Sequence, residues 1–239
     1  MNTNTNTNTN TNTNKANQNS ASERILNLII VDESGSMQSI YEETLSGMNQ
    51  TIETIKGKAN EIDGVKQYVN LITFDSGHYT QHLRNCPAED ARTLRPDQYR
   101  PGGCTPLYDA IGRAVTGLER HVTENDSVLV TIITDGYENA SREFSGGEIK
   151  RLIDRLSEKG WIFTYIGANQ DAMLEAGKLG IKSYMNFEAS GSGTNKMWEA
   201  DMSSRASFIS RMIMRKKQGL SMKEMMTLER EDDTNYFDK

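Results

Sequence analysis

The chain has little of what marks a secreted or membrane-bound protein. It has only two cysteines among 239 residues, too few for a disulfide framework, so Cys86 and Cys104 are predicted to be free thiols. Its longest apolar run, Leu28–Val31, is far shorter than the ~20 residues of a membrane-spanning helix. The N-terminal sequence has neither the basic nor the apolar part of a secretory signal. These absences predict a cytoplasmic location and no membrane partner.

The chain also has no excess of positive charge. Its 27 Lys and Arg residues against 33 Asp and Glu residues give a net charge of −6. Proteins that bind nucleic acid usually carry a basic stripe. We therefore expect no nucleic-acid partner.

The two ends of the chain differ in composition from the rest. Residues 2–14 alternate Asn and Thr, and the polar composition continues to Ser22, so 1–22 is predicted to be a disordered tail. Residues 217–239 are strongly charged and are predicted to form a mobile tail with a helical turn near Met222–Leu228. The residues between them, 23–216, are predicted to form one domain.

In that domain, strand patterns alternate with helix patterns. Ile25–Val31 is almost entirely aliphatic, as in a central strand that is covered on both faces. Other strands are predicted at Tyr68–Phe74, Tyr79–Arg84 (an edge strand), Val128–Thr134, Trp161–Ile166 and Tyr184–Phe187. Apolar residues at helical spacing separate most of them, and a last helix is predicted over about Asn195–Met214. The alternation predicts an α/β fold with a doubly wound, mostly parallel sheet and helices on both faces.

Five oxygen-bearing side chains lie in three stretches that such a fold brings together. They are Asp32, Ser34, Ser36, Thr105 and Asp135. The first three follow the first strand, and Asp135 follows Val128–Thr134. Thr105 precedes Pro106 and is predicted to be the N-cap of a helix. Because loops at the carboxyl ends of parallel strands meet in one crevice, these oxygens predict a site for Mg²⁺ or Mn²⁺.

The charge of this set indicates how the metal would be used. Two carboxylates neutralise a divalent cation, and three hydroxyls add no charge. The cation can then accept one more anionic ligand. The set therefore predicts a metal site that binds a carboxylate of another molecule.

These residues resemble the metal-ion-dependent adhesion site of the von Willebrand factor A (VWA) domain. The resemblance rests on Asp32-x-Ser34-x-Ser36, on Thr105 within Gly-Gly-x-Thr-Pro-Leu and on Asp135 within Thr-Asp-Gly, and it extends over about 23–214. It implies six strands with one antiparallel edge strand. It also implies a Mg²⁺ or Mn²⁺ ion held directly by the three hydroxyls, with the two carboxylates acting largely through bound waters.

The function that the resemblance implies is not catalysis but binding, in which an Asp or Glu of a protein partner completes the coordination of the metal. The sequence Gly-Gly-x-Thr-Pro-Leu-Tyr-Asp-Ala is similar to bacterial intracellular members of the family, which often act beside AAA+ ATPases or in stress-response systems. Glu33, Glu138 and Asn139 are expected on the rim of the site, where a partner would touch them. Asp109 is expected to cap or pair within its own helix.

Two other functions are compatible with the same residues. One is a Mg²⁺-dependent phosphatase or phosphotransfer enzyme on a similar sheet. Haloacid-dehalogenase-like phosphatases place a second Asp where this chain has Ser34, and no Lys follows Trp161–Ile166 as in a phospho-receiver domain. The other is a VWA-fold scaffold that binds no metal.

Overall fold

A computed structural model describes residues 23–168, 172–232 and 234–238, so the predicted tail at 1–22 lies outside the described residues. The strands are β1 (Glu23–Asp32), β2 (Val65–Phe74), β3 (Tyr79–Pro87), β4 (Asp126–Thr134), β5 (Ile162–Ala168) and β6 (Ser183–Phe187). The helices are α1 (Tyr41–Gly57), α2 (Leu107–Glu119), α3 (Gly146–Glu158), α4 (Ala172–Lys178), α5 (Gly191–Lys217) and α6 (Met222–Glu231). Short 3₁₀ turns lie at Gly35–Ile40, Ala88–Asp90, Pro96–Gln98 and Tyr236–Asp238.

The six strands form one sheet in the order β3-β2-β1-β4-β5-β6. All neighbouring pairs are parallel except β2 and β3, which pair antiparallel at one edge. This confirms the predicted α/β fold, including the six strands and the antiparallel edge strand. The strand order reverses at β1, which has β2 on one side and β4 on the other. In open α/β sheets such a reversal opens a crevice at the carboxyl ends of the strands.

Alternate residues of β1 pack into the cores on the two faces of the sheet. Leu28 and Ile30 belong to the core formed with α2 and α3, whereas Ile29 and Val31 belong to the core formed with α1 and α5. Successive side chains of a strand point to opposite faces. A central strand with helices on both faces therefore needs apolar residues at almost every position, as this one has.

Helices α1 and α5 approach closely on the second face because α1 has a glycine opposite a tryptophan of α5. A Cβ on Gly47 would lie 2.2 Å from ring atoms of Trp198, which is 2 % exposed. The indole therefore occupies the space that any larger residue at position 47 would need.

The C-terminal segment differs from the mobile tail predicted for 217–239. The chain turns at Gly219 (φ 84°), and α6 then packs against the sheet with Met222, Met225 and Met226 buried. The methionines recur at helical spacing and form an apolar face. The buried carboxylate of Glu229 accepts hydrogen bonds from arginines on α5. The charged composition predicted a mobile segment. The structure instead has a packed helix, α6, whose charged side chains are exposed or paired.

Candidate metal centre

Asp32 and Asp135 lie at neighbouring carboxyl ends in the middle of the sheet. Asp32 is the last residue of β1 and Asp135 follows β4, and these strands pair in parallel with Val31 opposite Ile133. After Asp32 the chain turns directly into a 3₁₀ helix that begins at Gly35. The reversal of strand order thus places both carboxylates at one crevice.

The carboxylate of Asp32 is fully buried and is held on both oxygens. Its Oδ1 accepts a hydrogen bond from the backbone N–H of Ser34 at 2.7 Å, and its Oδ2 accepts one from the hydroxyl of Thr134 at 2.6 Å. Burial raises the pKa of Asp32 to about 6, although these hydrogen bonds act in the opposite direction. A buried carboxylate without a cation is energetically costly, so this side chain is suited to a nearby positive ion.

The two serines join Asp32 to Asp135. The hydroxyl oxygens of Ser34 and Ser36 are 3.2 Å apart, and the Ser36 hydroxyl donates to Oδ1 of Asp135 at 2.5 Å. Burial raises the pKa of Asp135 as well, and the Ser36 hydrogen bond lowers it by less. The structure therefore brings all four of these side chains into one connected group.

Thr105 belongs to the same group, because its hydroxyl lies beside Gly136 together with oxygens of Ser36 and Asp32. A Cβ on Gly136 would lie 3.1 Å from the Thr105 hydroxyl oxygen, 3.7 Å from that of Ser36 and 3.8 Å from Oδ2 of Asp32. Oxygens from two separate stretches, the one that contains Asp32 and Ser36 and the one that contains Thr105, thus approach one small region beside Gly136 that only a glycine leaves open. Thr105 is not the N-cap that the sequence predicted, because α2 begins at Leu107 after Pro106 and has no side-chain cap.

The chemistry of the group fits Mg²⁺ or Mn²⁺. Every donor is a hydroxyl or carboxylate oxygen, the type of ligand that these hard cations prefer. The described residues contain no group of three or more His, Cys, Asp or Glu side chains placed to hold a metal. In the described part of the chain, a metal site at this crevice must therefore use the hydroxyls together with the two carboxylates.

Asn139, which was predicted on the rim, is exposed and supports Thr105. Its side-chain oxygen accepts a hydrogen bond from the backbone N–H of Thr105 at 2.9 Å. Its own N–H donates to the carbonyl oxygen of Thr105 at 3.1 Å. Asn139 therefore fixes the backbone of one candidate ligand.

Glu33 does not lie on an exposed rim, so that prediction is wrong. Its side chain accepts a hydrogen bond from the backbone N–H of Arg100, and the residue is 6 % exposed. The backbone of Glu33 is also held in place. Its N–H donates to the carbonyl oxygen of Phe74 at 2.7 Å, and its carbonyl oxygen accepts from the N–H of Gly102 at 2.8 Å. The loop before Thr105 folds over Glu33 and buries it. The alternation of side chains along the strand could not predict this burial, because the loop is distant in sequence.

Two other carboxylates hold the loop that follows Asp135. Glu138 is half-buried and accepts hydrogen bonds from the backbone N–H of Tyr108 and from Ser141. Asp109 accepts from three consecutive N–H groups that begin at Arg142. These bonds hold the pKa of Asp109 below its usual value, although its burial acts in the opposite direction. The sequence predicted that Asp109 caps or pairs within its own helix. Its carboxylate instead joins α2 to a loop more than 30 residues away.

A comparison with protein families shows how this arrangement is classified. The model of the von Willebrand factor type A domain matches residues 28–199. The chain belongs to this family. The matched region includes all five candidate ligands of the VWA domain and ends within α5.

Solved structures with the same fold are distant in sequence. The pilus adhesin SpaC of Lactobacillus rhamnosus GG has a TM-score of 0.57 and 15 % identity, over 82 % of this chain and 31 % of that one. The vWF domain of the pili tip protein Mfa5 of Porphyromonas gingivalis has a TM-score of 0.51 and 8 % identity, over 74 % and 95 %. Proximal thread matrix protein 1 of the mussel byssus has a TM-score of 0.53 and 16 % identity, over 76 % and 46 %. The chain therefore spans about half the length of the mussel protein. No curated protein matches the chain.

Two residues that support the VWA site were not singled out from the sequence. Thr134 donates to Asp32, and Tyr99 donates its hydroxyl to the carbonyl oxygen of Asp32 at 2.8 Å. Tyr99 is fully buried, and its ring stacks on that of Tyr41 with centroids 5.9 Å apart. The support from Thr134 could have been predicted, because Thr134 ends a strand directly before Asp135. Tyr99 lies in an irregular loop whose sequence has no pattern that indicates such a role.

The part of the chain that the structure describes has no helix long and apolar enough to cross a membrane.

Proposed function

We propose that this VWA domain is a Mg²⁺-dependent protein-interaction module that captures a carboxylate of a partner protein. Asp32, Ser34, Ser36, Thr105 and Asp135 would hold the Mg²⁺ (or Mn²⁺) ion. The ion supplies positive charge to which an Asp or Glu of the partner can bind as a further ligand. The chain's own part is to position the oxygens and to leave one side of the ion open.

The observation that carries this proposal is the open region beside Gly136. Three candidate ligand oxygens from two loops approach it, although a side chain at that position would fill it. The buried carboxylate of Asp32 adds the second argument. Its pKa is raised because burial disfavours its charge, and a bound cation would remove that penalty.

The contacts of Asp32 favour binding over phosphoryl transfer. A nucleophilic carboxylate must present an oxygen to its substrate. Both oxygens of Asp32 instead accept hydrogen bonds inside the protein, and the residue has no exposed surface. We therefore propose a module without enzymatic activity.

The setting of the module is proposed from the similar structures and from the composition of the chain. An adhesin and a pili tip protein among the similar structures are in keeping with a role in protein binding. The low cysteine content, which is typical of proteins in reducing compartments, leads us to propose a cytoplasmic protein. An AAA+ ATPase or a stress-response complex is the class of partner that we propose to test first.

The first experiment is calorimetric titration of the purified protein with Mg²⁺ and with Mn²⁺. We expect wild type to bind one ion and the Thr105→Val variant, which replaces a hydroxyl with a methyl group, to bind it at least about ten-fold more weakly. The matched control is Thr227→Val on α6, where the hydroxyl only donates to a backbone carbonyl of its own helix. Equal metal binding by wild type and Thr105→Val would contradict the proposed site.

The second experiment tests carboxylate capture. A fluorescent peptide library with one Asp or Glu per peptide is titrated with protein in Mg²⁺ and then in EDTA. We expect binding that EDTA and Asp32→Ala both abolish. Binding that is indifferent to the chelator would refute the proposal, as would hydrolysis of a generic phosphoester that Asp32→Asn abolishes.

A further inference from the structure

Exposed large apolar side chains are concentrated at the end of the sheet that holds the candidate metal centre, where the parallel strands have their carboxyl ends. Five such residues occur in the described part of the chain: Tyr137, Met173, Leu174, Met214 and Leu228. The first three, which we call the apolar rim, are 57 %, 61 % and 56 % exposed. A cluster of exposed apolar residues beside a functional site commonly marks a surface that a partner covers.

Tyr137 lies next to the proposed ion. It is two residues beyond Asp135 and directly follows Gly136, whose Cβ position is 3.1 Å from the Thr105 hydroxyl. The loop that carries it is rigid at its next residue, because Glu138 accepts several backbone hydrogen bonds. The backbone that carries the exposed ring is therefore held beside the crevice.

The other two members lie on the first turn of α4, at the same end of the sheet. Helix α4 begins beyond the carboxyl end of β5, the strand beside β4. Its buried face is anchored, since Ala172 and Ala176 are fully buried and the N–H of Ala172 donates to the side chain of Asn186 at 2.8 Å. Met173 and Leu174 are therefore turned outward.

The topology places α4 and Tyr137 at the same end of the sheet. Tyr137 follows the carboxyl end of β4, and α4 follows the carboxyl end of β5, the neighbouring strand. In keeping with this placement, a hydrogen bond to Glu175 raises the pKa of Lys178 on α4, and Tyr108 and Tyr137 raise it further. Tyr137 and α4 therefore border the same crevice.

We infer that the apolar rim binds a large apolar side chain that lies next to the metal-binding carboxylate of the partner protein. The partner's motif is then an Asp or Glu with a neighbouring Leu, Ile, Met or Phe. This inference rests on the proposed function, and it specifies the partner that the same site selects.

The ion and the apolar rim have different roles in binding. The ion binds any accessible carboxylate, so it contributes affinity without selecting among acidic proteins. Burial of one leucine side chain contributes enough free energy for an increase in affinity of about ten-fold or more. The thioether of Met173 adapts to different apolar shapes, so the rim selects for an apolar neighbour rather than for one particular residue.

The test uses three peptides with blocked ends: Gly-Ser-Asp-Leu-Ser-Gly, Gly-Leu-Asp-Ser-Ser-Gly and Gly-Ser-Asp-Ser-Ser-Gly. Each is titrated with the full chain in saturating Mg²⁺ and again in EDTA, and binding is followed by calorimetry. We expect at least one leucine peptide to bind about ten-fold more tightly than the serine peptide, and EDTA to abolish binding of all three.

Variants locate the preference on the rim. Tyr137→Ser and Met173→Ser should reduce the advantage of the leucine peptide to about two-fold or less while weak, Mg²⁺-dependent binding of the serine peptide persists. The matched control is Met214→Ser on α5, because Met214 is 62 % exposed but belongs to a different surface. The control should retain the full preference.

The outcomes separate this inference from the proposed function. If all three peptides bind equally and EDTA releases them, carboxylate capture stands and the apolar preference is refuted. If no peptide shows Mg²⁺-dependent binding, the proposed function fails and the inference with it. If light scattering shows that wild type dimerises and Tyr137→Ser does not, the rim binds a second copy of the chain and the inference is overturned.

Discussion

Replacing Asp32 with asparagine should make the metal-free protein more stable at neutral pH, although the change removes a candidate metal ligand. The asparagine would keep the shape of the side chain and remove its charge. The carboxylate is fully buried, and its pKa of about 6 lies above the ordinary value of 3.8. The wild-type protein therefore loses stability when this group ionises.

The pH range of the loss follows from these two values. The folded state keeps its proton up to about pH 6, whereas the unfolded state loses it near 3.8. The free energy of unfolding therefore falls as the pH rises between these values, and the loss stays constant above them. A difference of about two pKa units corresponds to roughly 3 kcal/mol.

The asparagine should recover most of this free energy because its surroundings can pair with it. Its carbonyl oxygen can accept from the N–H of Ser34, as Asp32 does at 2.7 Å. Its amide can donate to the Thr134 hydroxyl, which has the carbonyl oxygen of Gly136 at 3.0 Å as another acceptor. With an allowance for imperfect hydrogen bonds, we expect a gain of about 1 to 3 kcal/mol at pH 7.5.

Urea unfolding, followed by the fluorescence of the two buried tryptophans, measures this difference. It is repeated at pH 4.5 and pH 7.5, in EDTA and in Mg²⁺. Asp63→Asn, on an exposed turn before β2, controls for the change in net charge. In Mg²⁺ only the wild type should gain substantial stability, because the ion binds its folded state.

Two results would refute the reasoning. If Asp32→Asn is no more stable than wild type in EDTA at pH 7.5, burial of the charge is not costly. If its advantage is the same at both pH values, the effect does not come from ionisation of Asp32.

The remaining predictions concern glycines that leave room for a neighbour. Gly136→Ala should keep the fold but weaken Mg²⁺ binding, measured by calorimetry, at least about ten-fold. Its methyl group would enter the region 3.1 Å from the Thr105 hydroxyl. Unchanged affinity would show that the ion lies elsewhere. Gly47→Ala should lower the free energy of unfolding by about 2 kcal/mol or more relative to Gly57→Ala, because its methyl group would meet Trp198 at 2.2 Å. Gly57 is the matched control because it ends the same helix and has open space at its Cβ position; equal unfolding free energies in urea would contradict the packing.

Local patterns in the sequence were sufficient to predict the sheet and the place of the candidate ligands. Strand and helix periods depend on neighbouring residues, and in an alternating α/β chain parallel pairing follows from the order of the elements. Asp32 ends one buried strand and Asp135 directly follows a neighbouring one, so the fold alone predicts that they lie at the same end of the sheet. Their residue types then predict a hard cation.

The tertiary structure decided which polar groups are available to a ligand. Alternation predicted Glu33 as an exposed rim residue, but the loop around Arg100 covers it. Helical position predicted a local partner for Asp109, but the side chain holds a loop more than 30 residues away. Composition predicted a mobile C-terminal tail, but methionines on one face of α6 pack against the sheet. Burial and hydrogen-bond partners depend on segments far apart in the chain, so no local pattern of residues determines them.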